Sequence, residues 1–244
     1  MANVRLVDLT KYYKRGTEVI HALDGVNLEI EKGEFVAVVG RSGSGKTTML
    51  DMMGLLLRPT SGSLFVDEID TSKLGDRELA RMRAHSVGFV FQEYNLLSGL
   101  NVLENVMLPL RYVKDGKNGK PRAVELIDRV GLSDRIRHRP NELSGGQAQR
   151  VAIARSMVNS PTLILLDEPT GAVDTETAQQ LVDLLKRLNR EDQVTIVIIT
   201  HDLDIAAQAS RQIRLKDGKV LSDERVHSNG ALTGVGAAAG KALN

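Results

Sequence analysis

The sequence predicts an α/β fold built on a mostly parallel sheet, and three observations carry that expectation. Short, nearly continuous apolar runs at Phe35–Val39, Leu163–Leu166 and Val194–Ile199 have the character of strands buried on both faces. Helical patterns, among them 46–57 and 175–189, stand between such runs, and strands alternating with helices imply parallel neighbours joined by crossovers. The first run then breaks into Gly40-Arg-Ser-Gly-Ser-Gly-Lys-Thr47, the G-x-x-x-x-G-K-[ST] spacing of a phosphate-binding loop, with the required strand before it and helix after it. In open sheets of this kind ligands gather at the carboxyl ends of the strands, so chemistry is sought there.

In chain order, the segments 4–9 and 26–30 alternate roughly apolar with polar, the pattern of half-buried antiparallel strands, and predict an N-terminal antiparallel β layer. Between them, Lys11-Tyr-Tyr-Lys-Arg-Gly16 carries two of only four tyrosines in a chain that is 3% aromatic, which makes either one a candidate for more than packing. Residues 31–34 turn the chain into the central strand. The helix after the phosphate loop is expected to end near Arg58-Pro-Thr-Ser-Gly62, followed by a short strand at 63–66. Segment 76–85 reads as a charged helix whose Arg77, Arg81 and Arg83 form a solvated face, and 87–91 as a strand ending on Gln92. From Tyr94 to Met157 the pattern turns helical, with apolar spacing at 123–130 and an exposed loop at Asp115-Gly-Lys-Asn-Gly119. This divides the chain into a core of residues 1–93 and 159–225, an inserted α-helical subdomain at 94–158, and a Gly/Ala-rich tail at 226–244 that lacks periodicity and is expected to be flexible.

Composition excludes several classes. A length of 244 residues suits one α/β domain with a sizeable interior. Lys+Arg 32 against Asp+Glu 31, a net charge of +1, gives no field that argues for nucleic acid. With no Cys, disulfides and thiolate metal sites are excluded. The apolar runs fall far short of the about 20 residues that span a bilayer. The N-terminus shows no signal-peptide pattern, so a soluble cytoplasmic chain is expected.

The chemistry-bearing residues start in the phosphate loop, Gly40, Ser42, Gly43, Ser44, Gly45, Lys46, Thr47 and Thr48. Glycines let successive N–H groups turn toward a phosphate, and the following helix aims its positive end at the same anion. Lys46 is a movable charge for β/γ oxygens, and the Thr47 hydroxyl is a hard ligand suited to Mg²⁺. Leu163-Ile-Leu-Leu-Asp-Glu168 is an apolar strand ending in two carboxylates. Alone, such a pair is a solvated strand end; behind a phosphate loop, Asp167 takes the metal side and Glu168 polarises the attacking water as general base. His201 ends another buried strand, placed for a γ-phosphate contact, and Gln92 ends its own, where its amide could meet Mg²⁺ or order water. Leu143-Ser-Gly-Gly-Gln147 precedes a good helical run, with Ser144 at the N-cap position, so its start is a second anion site.

In this order, the phosphate loop, Gln92, Leu143–Gln147, Leu163–Glu168, Asp174 and His201 resemble the ATPase subunit of ABC transporters, and the resemblance runs from Val4 to about Leu221. It implies a RecA-like P-loop NTPase core, ATP and Mg²⁺ as ligands, Tyr13 stacking on adenine with Tyr12 as the alternative, and Asp174 in the D-loop. It also implies two chains head to tail, the phosphate loop of each facing Ser144, Gly145, Gly146 and Gln147 of the other, beneath an integral membrane permease at the cytoplasmic face of the inner membrane. Gly88–Leu97, Glu104–Leu110 and Asp167–Ala172 resemble the LolD/MacB group, which serves export, lipoprotein release or mechanotransmission. Val173, Thr175 and Ala148 depart from the usual Leu, Ser and Gln, and none removes a catalytic group. Two alternatives stand beside this: an FtsE-like ATPase that signals through a permease without moving a substrate, and a soluble ABC ATPase of DNA repair or translation.

Overall fold

The computed structural model of the chain describes residues 2–113, 119–226 and 232–235. Two sheets form it. A four-stranded antiparallel sheet has the order β2-β1-β4-β5, with β1 Ala2–Arg15, β2 Glu18–Glu31, β4 Ser61–Val66 and β5 Ile69–Asp70. A seven-stranded sheet has the order β11-β10-β9-β3-β8-β7-β6, with β3 Phe35–Val39, β6 Val87–Val90, β7 Leu163–Asp167, β8 Thr195–Ile199, β9 Arg211–Lys216, β10 Lys219–Val226 and β11 Leu232–Gly234. Its five strands from β9 to β6 are all parallel. The helices are α1 Lys46–Met53, α2 Asp76–Ser86, α3 Val102–Met107, α4 Lys120–Arg129, α5 Gly145–Met157, α6 Thr175–Asp192 and α7 Leu203–Ala206.

The continuous apolar runs are explained by what lies on each side of the parallel sheet. Successive side chains point to opposite faces. Phe35, Ala37 and Val39 of β3, Ile164 and Leu166 of β7, and Ile196 and Ile198 of β8 join a core with α3, α4, α5 and α6. Val36, Val38, Leu163, Leu165, Val197 and Ile199 point the other way, into a core with α1 and the antiparallel sheet. All five residues of β3 and of β8 are buried. Deleting one such Leu or Ile to Ala would cost about 2–5 kcal/mol.

The strands at 4–9 and 26–30 extend into one 14-residue hairpin arm each, carrying Tyr12 and Tyr13 inside β1. The helix after the phosphate loop stops at Met53, earlier than Leu57, because Gly54 accepts the end of the helix and Leu55 takes a left-handed φ of 59°. The 211–226 region forms the antiparallel hairpin β9–β10, which periodicity alone did not single out. Within the stretch expected to be a flexible tail, Leu232–Gly234 pairs with Val226, Arg225 and Glu224. The predicted loop at Asp115–Gly119 lies outside the described residues except for Gly119, which precedes α4.

Candidate functional site

The phosphate loop leaves the carboxyl end of β3 and enters α1 through Gly45, whose φ of 101° only glycine adopts readily. A Cβ at Gly45 would lie 2.2 Å from the Ala22 carbonyl oxygen, and one at Gly40 would lie 2.5 Å from that of Leu215. The loop is therefore clasped between β2 and β9. Its outer residues Arg41, Ser42 and Gly43 are exposed, as is Thr47, while Thr48 is half-buried. Lys46 Nζ donates to the carbonyls of Gly40 at 2.9 Å and Arg41 at 3.0 Å, so its charge already lies across the mouth of the loop. Ser44 Oγ is buried beside Gly40, with no hydrogen-bond partner among the described residues.

Two strands away, Asp167 ends β7. Burial pushes its carboxyl above the ordinary range, the Glu168 carboxylate adds to this, and Lys46 and a hydrogen bond from Thr47 oppose it. Thr47, Lys46 and Asp167 are thus brought together. Asp51 on α1 shares the region: burial raises its pKa, with Asp167 adding a like charge. Sequence reasoning missed Asp51, which nothing distinguishes from other helix-surface acids until the fold is known.

Glu168 follows with a left-handed φ of 46°, a conformation that costs a non-glycine residue about 1–3 kcal/mol. The surroundings hold it there. Its N–H donates to the Ile199 carbonyl at 3.0 Å, and its own carbonyl accepts from Gly171 at 3.1 Å. The turned backbone sends its carboxylate to His201, Oε2 lying 2.8 Å from Nδ1, and the His201 N–H points to the same oxygen at 3.4 Å. The expected base and the expected switch histidine are bonded to each other. His201 is otherwise open, its side chain 74% exposed against 18% for Glu168. Gln92 is exposed just beyond β6; a Cβ at Gly171, three residues past Glu168, would lie 3.2 Å from its Nε2.

The Leu143–Gln147 segment lies elsewhere. Ser144 caps α5, its Oγ accepting from the Gln147 N–H at 3.3 Å while Gln147 Oε1 accepts from the Ser144 N–H at 2.9 Å. Gly145 packs beneath the Tyr94 hydroxyl and Gly146 against the Thr177 methyl. Thr177 in turn binds Asp174, the N-cap of α6, through its N–H at 2.9 Å and its hydroxyl at 2.6 Å, and these bonds hold the Asp174 carboxyl below the usual range. The described neighbours of this segment include Tyr94, Ala172 and α6, whereas those of the phosphate loop include β2, β9 with its turn into β10, and Asp167. Arg155 of α5 pins the chain after Gln92, donating to the carbonyls of Tyr94 at 2.7 Å and Asn95 at 2.6 Å.

The two neighbouring tyrosines separate cleanly. Tyr12 donates to Asp24 Oδ1 at 3.2 Å and its ring meets that of His21 at 4.1 Å between centroids. Tyr13 is 39% exposed, with Lys11 Nζ 5.4 Å from its ring centroid. Of the two, Tyr13 is the one with a ring face to offer.

The donor set suits Mg²⁺. Thr47 and Asp167 supply two hard oxygens in contact, and among the described residues no group of three or more His, Cys, Asp or Glu could hold a metal by itself. A cation that keeps waters and takes phosphate oxygens as its remaining ligands fits that pattern.

The family model described as ABC transporter matches residues 23–171. The uncharacterized ABC transporter ATP-binding protein MJ0796 of Methanocaldococcus jannaschii is 48% identical over 228 residues, which cover 91% of this chain and 97% of that protein. The macrolide export ATP-binding/permease protein MacB of Rhodopirellula baltica is 46% identical over 225 residues, covering 91% of this chain but only 33% of MacB. A solved dimeric structure of a post-hydrolysis state of the ATP-binding cassette MJ0796, bound to ADP and Pi, superposes with a TM-score of 0.84 at 46% identity, over 92% of this chain and 99% of that one.

Proposed function

The chain belongs to the ABC transporter ATP-binding family, and from its site we propose that it is the ATP-hydrolysing subunit of a LolD/MacB-type system, working as a head-to-tail pair beneath a membrane permease. The observation that carries this is the convergence of Lys46, Thr47, Asp167, Glu168 and His201 at the carboxyl ends of the adjacent strands β3, β8 and β7. Lys46 exchanges its two loop carbonyls for β/γ oxygens, and the loop N–H groups and the start of α1 hold the remaining phosphate charge. Thr47 and Asp167 would hold Mg²⁺, which supplies neutralisation of the phosphate oxygens. Glu168 releases His201 and takes the proton of the attacking water; His201, freed, turns its exposed ring to the γ-phosphate.

The pairing of two copies is supported by the two cores. The phosphate loop leads into α1, on one face of the parallel sheet, whereas Ser144 to Gln147 open α5, on the other. A second copy brings the Ser144 cap to the phosphates without any rearrangement of that sheet. The MJ0796 cassette has been solved as a dimer, and MacB is named for both ATP binding and permease functions, which supports the two partners. No helix of the described residues is long and apolar enough to cross a membrane. With a permease partner of the kind named in MacB, we place the chain against it at the cytoplasmic face, with the helical segment 94–158 and the stretch after Gln92 passing motion to the permease. Within that role the cargo, whether exported solute, lipoprotein or force alone, is set by the permease.

Glu168→Gln tests the base: hydrolysis should fall about 10²- to 10⁴-fold with ATP binding kept, and an unchanged rate would overturn the assignment. Ser144→Arg tests the shared site by placing bulk and charge at the α5 start. ATP-dependent dimerisation, measured by light scattering in the Glu168→Gln background, should disappear; its persistence would refute the head-to-tail arrangement.

A further inference from the structure

The tip of the β1–β2 hairpin has little core of its own. From Tyr13 to His21 every described side chain is exposed, and a two-stranded ribbon without a packed face is marginal in water. Yet Tyr13, on this ribbon, is the proposed stacking surface for the base, so something must hold it in register with the phosphate loop.

The described contacts form one continuous path between the two. Ser44 of the loop accepts at its carbonyl from the Gly218 N–H at 3.1 Å, and the Gly218 carbonyl accepts from the Asp24 N–H at 3.0 Å. Asp217 and Gly218 form the tight β9–β10 turn, with φ of 49° and 75°. Lys219, next in that strand, pairs with Asp24 Oδ2 at 3.1 Å, and Asp24 Oδ1 accepts from the Tyr12 hydroxyl at 3.2 Å. The Tyr12 ring rests on His21, its cross-strand partner, and the Tyr12 N–H donates to Thr60 Oγ1 at 3.0 Å. Because neighbouring residues of a strand point to opposite faces, anchoring Tyr12 inward presents Tyr13 outward.

We propose that Tyr12, Asp24 and Lys219 are positioning residues for recognition of the nucleoside base: they strut the hairpin against the β9–β10 turn and thereby fix Tyr13 relative to the phosphate loop. The proposal rests on the reading of Tyr13 as the base-stacking residue. It predicts that damage to the strut weakens binding of a ligand that has a base and spares one that has only phosphates.

The test uses the full chain, with ATP as substrate and inorganic tripolyphosphate as competitor. Tyr12→Phe keeps the ring and removes the hydroxyl. It should raise KM for ATP about two- to tenfold, the worth of one such hydrogen bond, with kcat at saturation and the tripolyphosphate inhibition constant unchanged. Asp24→Asn keeps an acceptor for Tyr12 but loses the ion pair with Lys219, and should raise KM by less. In a Tyr13→Ala background, Tyr12→Phe should have no further effect. If Tyr13→Ala alone leaves KM for ATP unchanged, the stacking reading fails and the strut proposal with it. If Tyr13→Ala raises KM but Tyr12→Phe either does nothing or adds its full effect on top, the stacking reading stands and the strut proposal is overturned. An equal loss of tripolyphosphate binding would likewise overturn it, by showing that the strut shapes the phosphate loop itself.

Discussion

Gly146→Ala should destabilise the protein through a contact inside the same chain, and Thr177→Ser should rescue it. In a helix, Ala is preferred to Gly by up to about 1 kcal/mol, so propensity alone predicts a gain. The fold reverses the sign. A Cβ at Gly146 would lie 2.4 Å from the Thr177 Cγ2 methyl, where about 3.5–4.0 Å is comfortable. The methyl cannot swing aside freely. Rotation about χ1 would carry the Thr177 hydroxyl off Asp174, which it binds at 2.6 Å in the cap of α6. Overpacking of this kind costs about 1–3 kcal/mol, which set against the propensity gain leaves a net loss of up to about 2 kcal/mol, or a Tm lower by up to about 8 °C for a chain of this size. Thr177→Ser deletes the methyl and keeps the hydroxyl. Thermal unfolding of the two single variants and the double should therefore show a coupling of about 1–3 kcal/mol, the size of the clash, with the double at or above the parent. A rise in Tm for Gly146→Ala, or a double variant no better than the single, would refute the reasoning.

Asp167→Asn should abolish hydrolysis and raise Tm, because it removes a carboxylate that burial and Glu168 both disfavour as an anion. The same shift fixes a pH signature. With its folded pKa above the ordinary 3.8, Asp167 holds protons that the unfolded chain has released, so stability falls as pH rises through the window just above 3.8; the Asn variant should lose that slope in a Tm-against-pH series. Arg211→Met should cost about 3–5 kcal/mol in urea unfolding, because Arg211 is buried between Glu34 at 2.9 Å and Asp223 at 2.6 Å and its loss strands both carboxylates. Hydrolysis per folded molecule should not change, since this pair ties the β9–β10 hairpin to β3 away from the phosphates.

What the sequence made legible followed from period and position. The apolar runs announced β3, β7 and β8, and the strand-loop-helix context placed the phosphate loop, because those signals are local. Two kinds of feature were not local. The hairpin arms ran longer than their apolar alternation, since Lys11 to Arg15 pair with Glu18 to Leu23 by backbone bonds that need no buried side chain. The β9 strand hid a buried Arg211 among its alternating residues and read as polar, although Asp217-Gly218 is a strong signal for a tight hairpin turn. Likewise, the glycines of the Leu143–Gln147 segment read as an anion site, and the fold gives them a second use: Tyr94 and Thr177 pack where their side chains would be. Which of two adjacent tyrosines is anchored depends on Asp24 and Lys219, far apart in the chain and paired across the β9–β10 turn.

The exceptions to ordinary backbone and polar rules explain why the strand ends can act as a site. Most non-glycine residues with positive φ here stand in turns or at helix ends, as Asp67, Glu68, Gln193 and Asp217 do. Glu168 instead follows directly on a buried strand and keeps its unfavourable φ because Ile199 of the neighbouring strand accepts its N–H. A relaxed backbone at that position would continue the alternation of β7 and carry the carboxylate away from His201. Burial opposes the charged form of Asp167, one residue earlier, and Ser44 keeps a buried hydroxyl with no hydrogen-bond partner among the described residues. A sequence optimised for stability alone would remove all three; under the proposed function, a nucleotide with its metal would bring cationic charge to Asp167 and phosphate acceptors to Ser44. The costs of this fold are thus concentrated at the ends of β3 and β7, where the proposed function needs them.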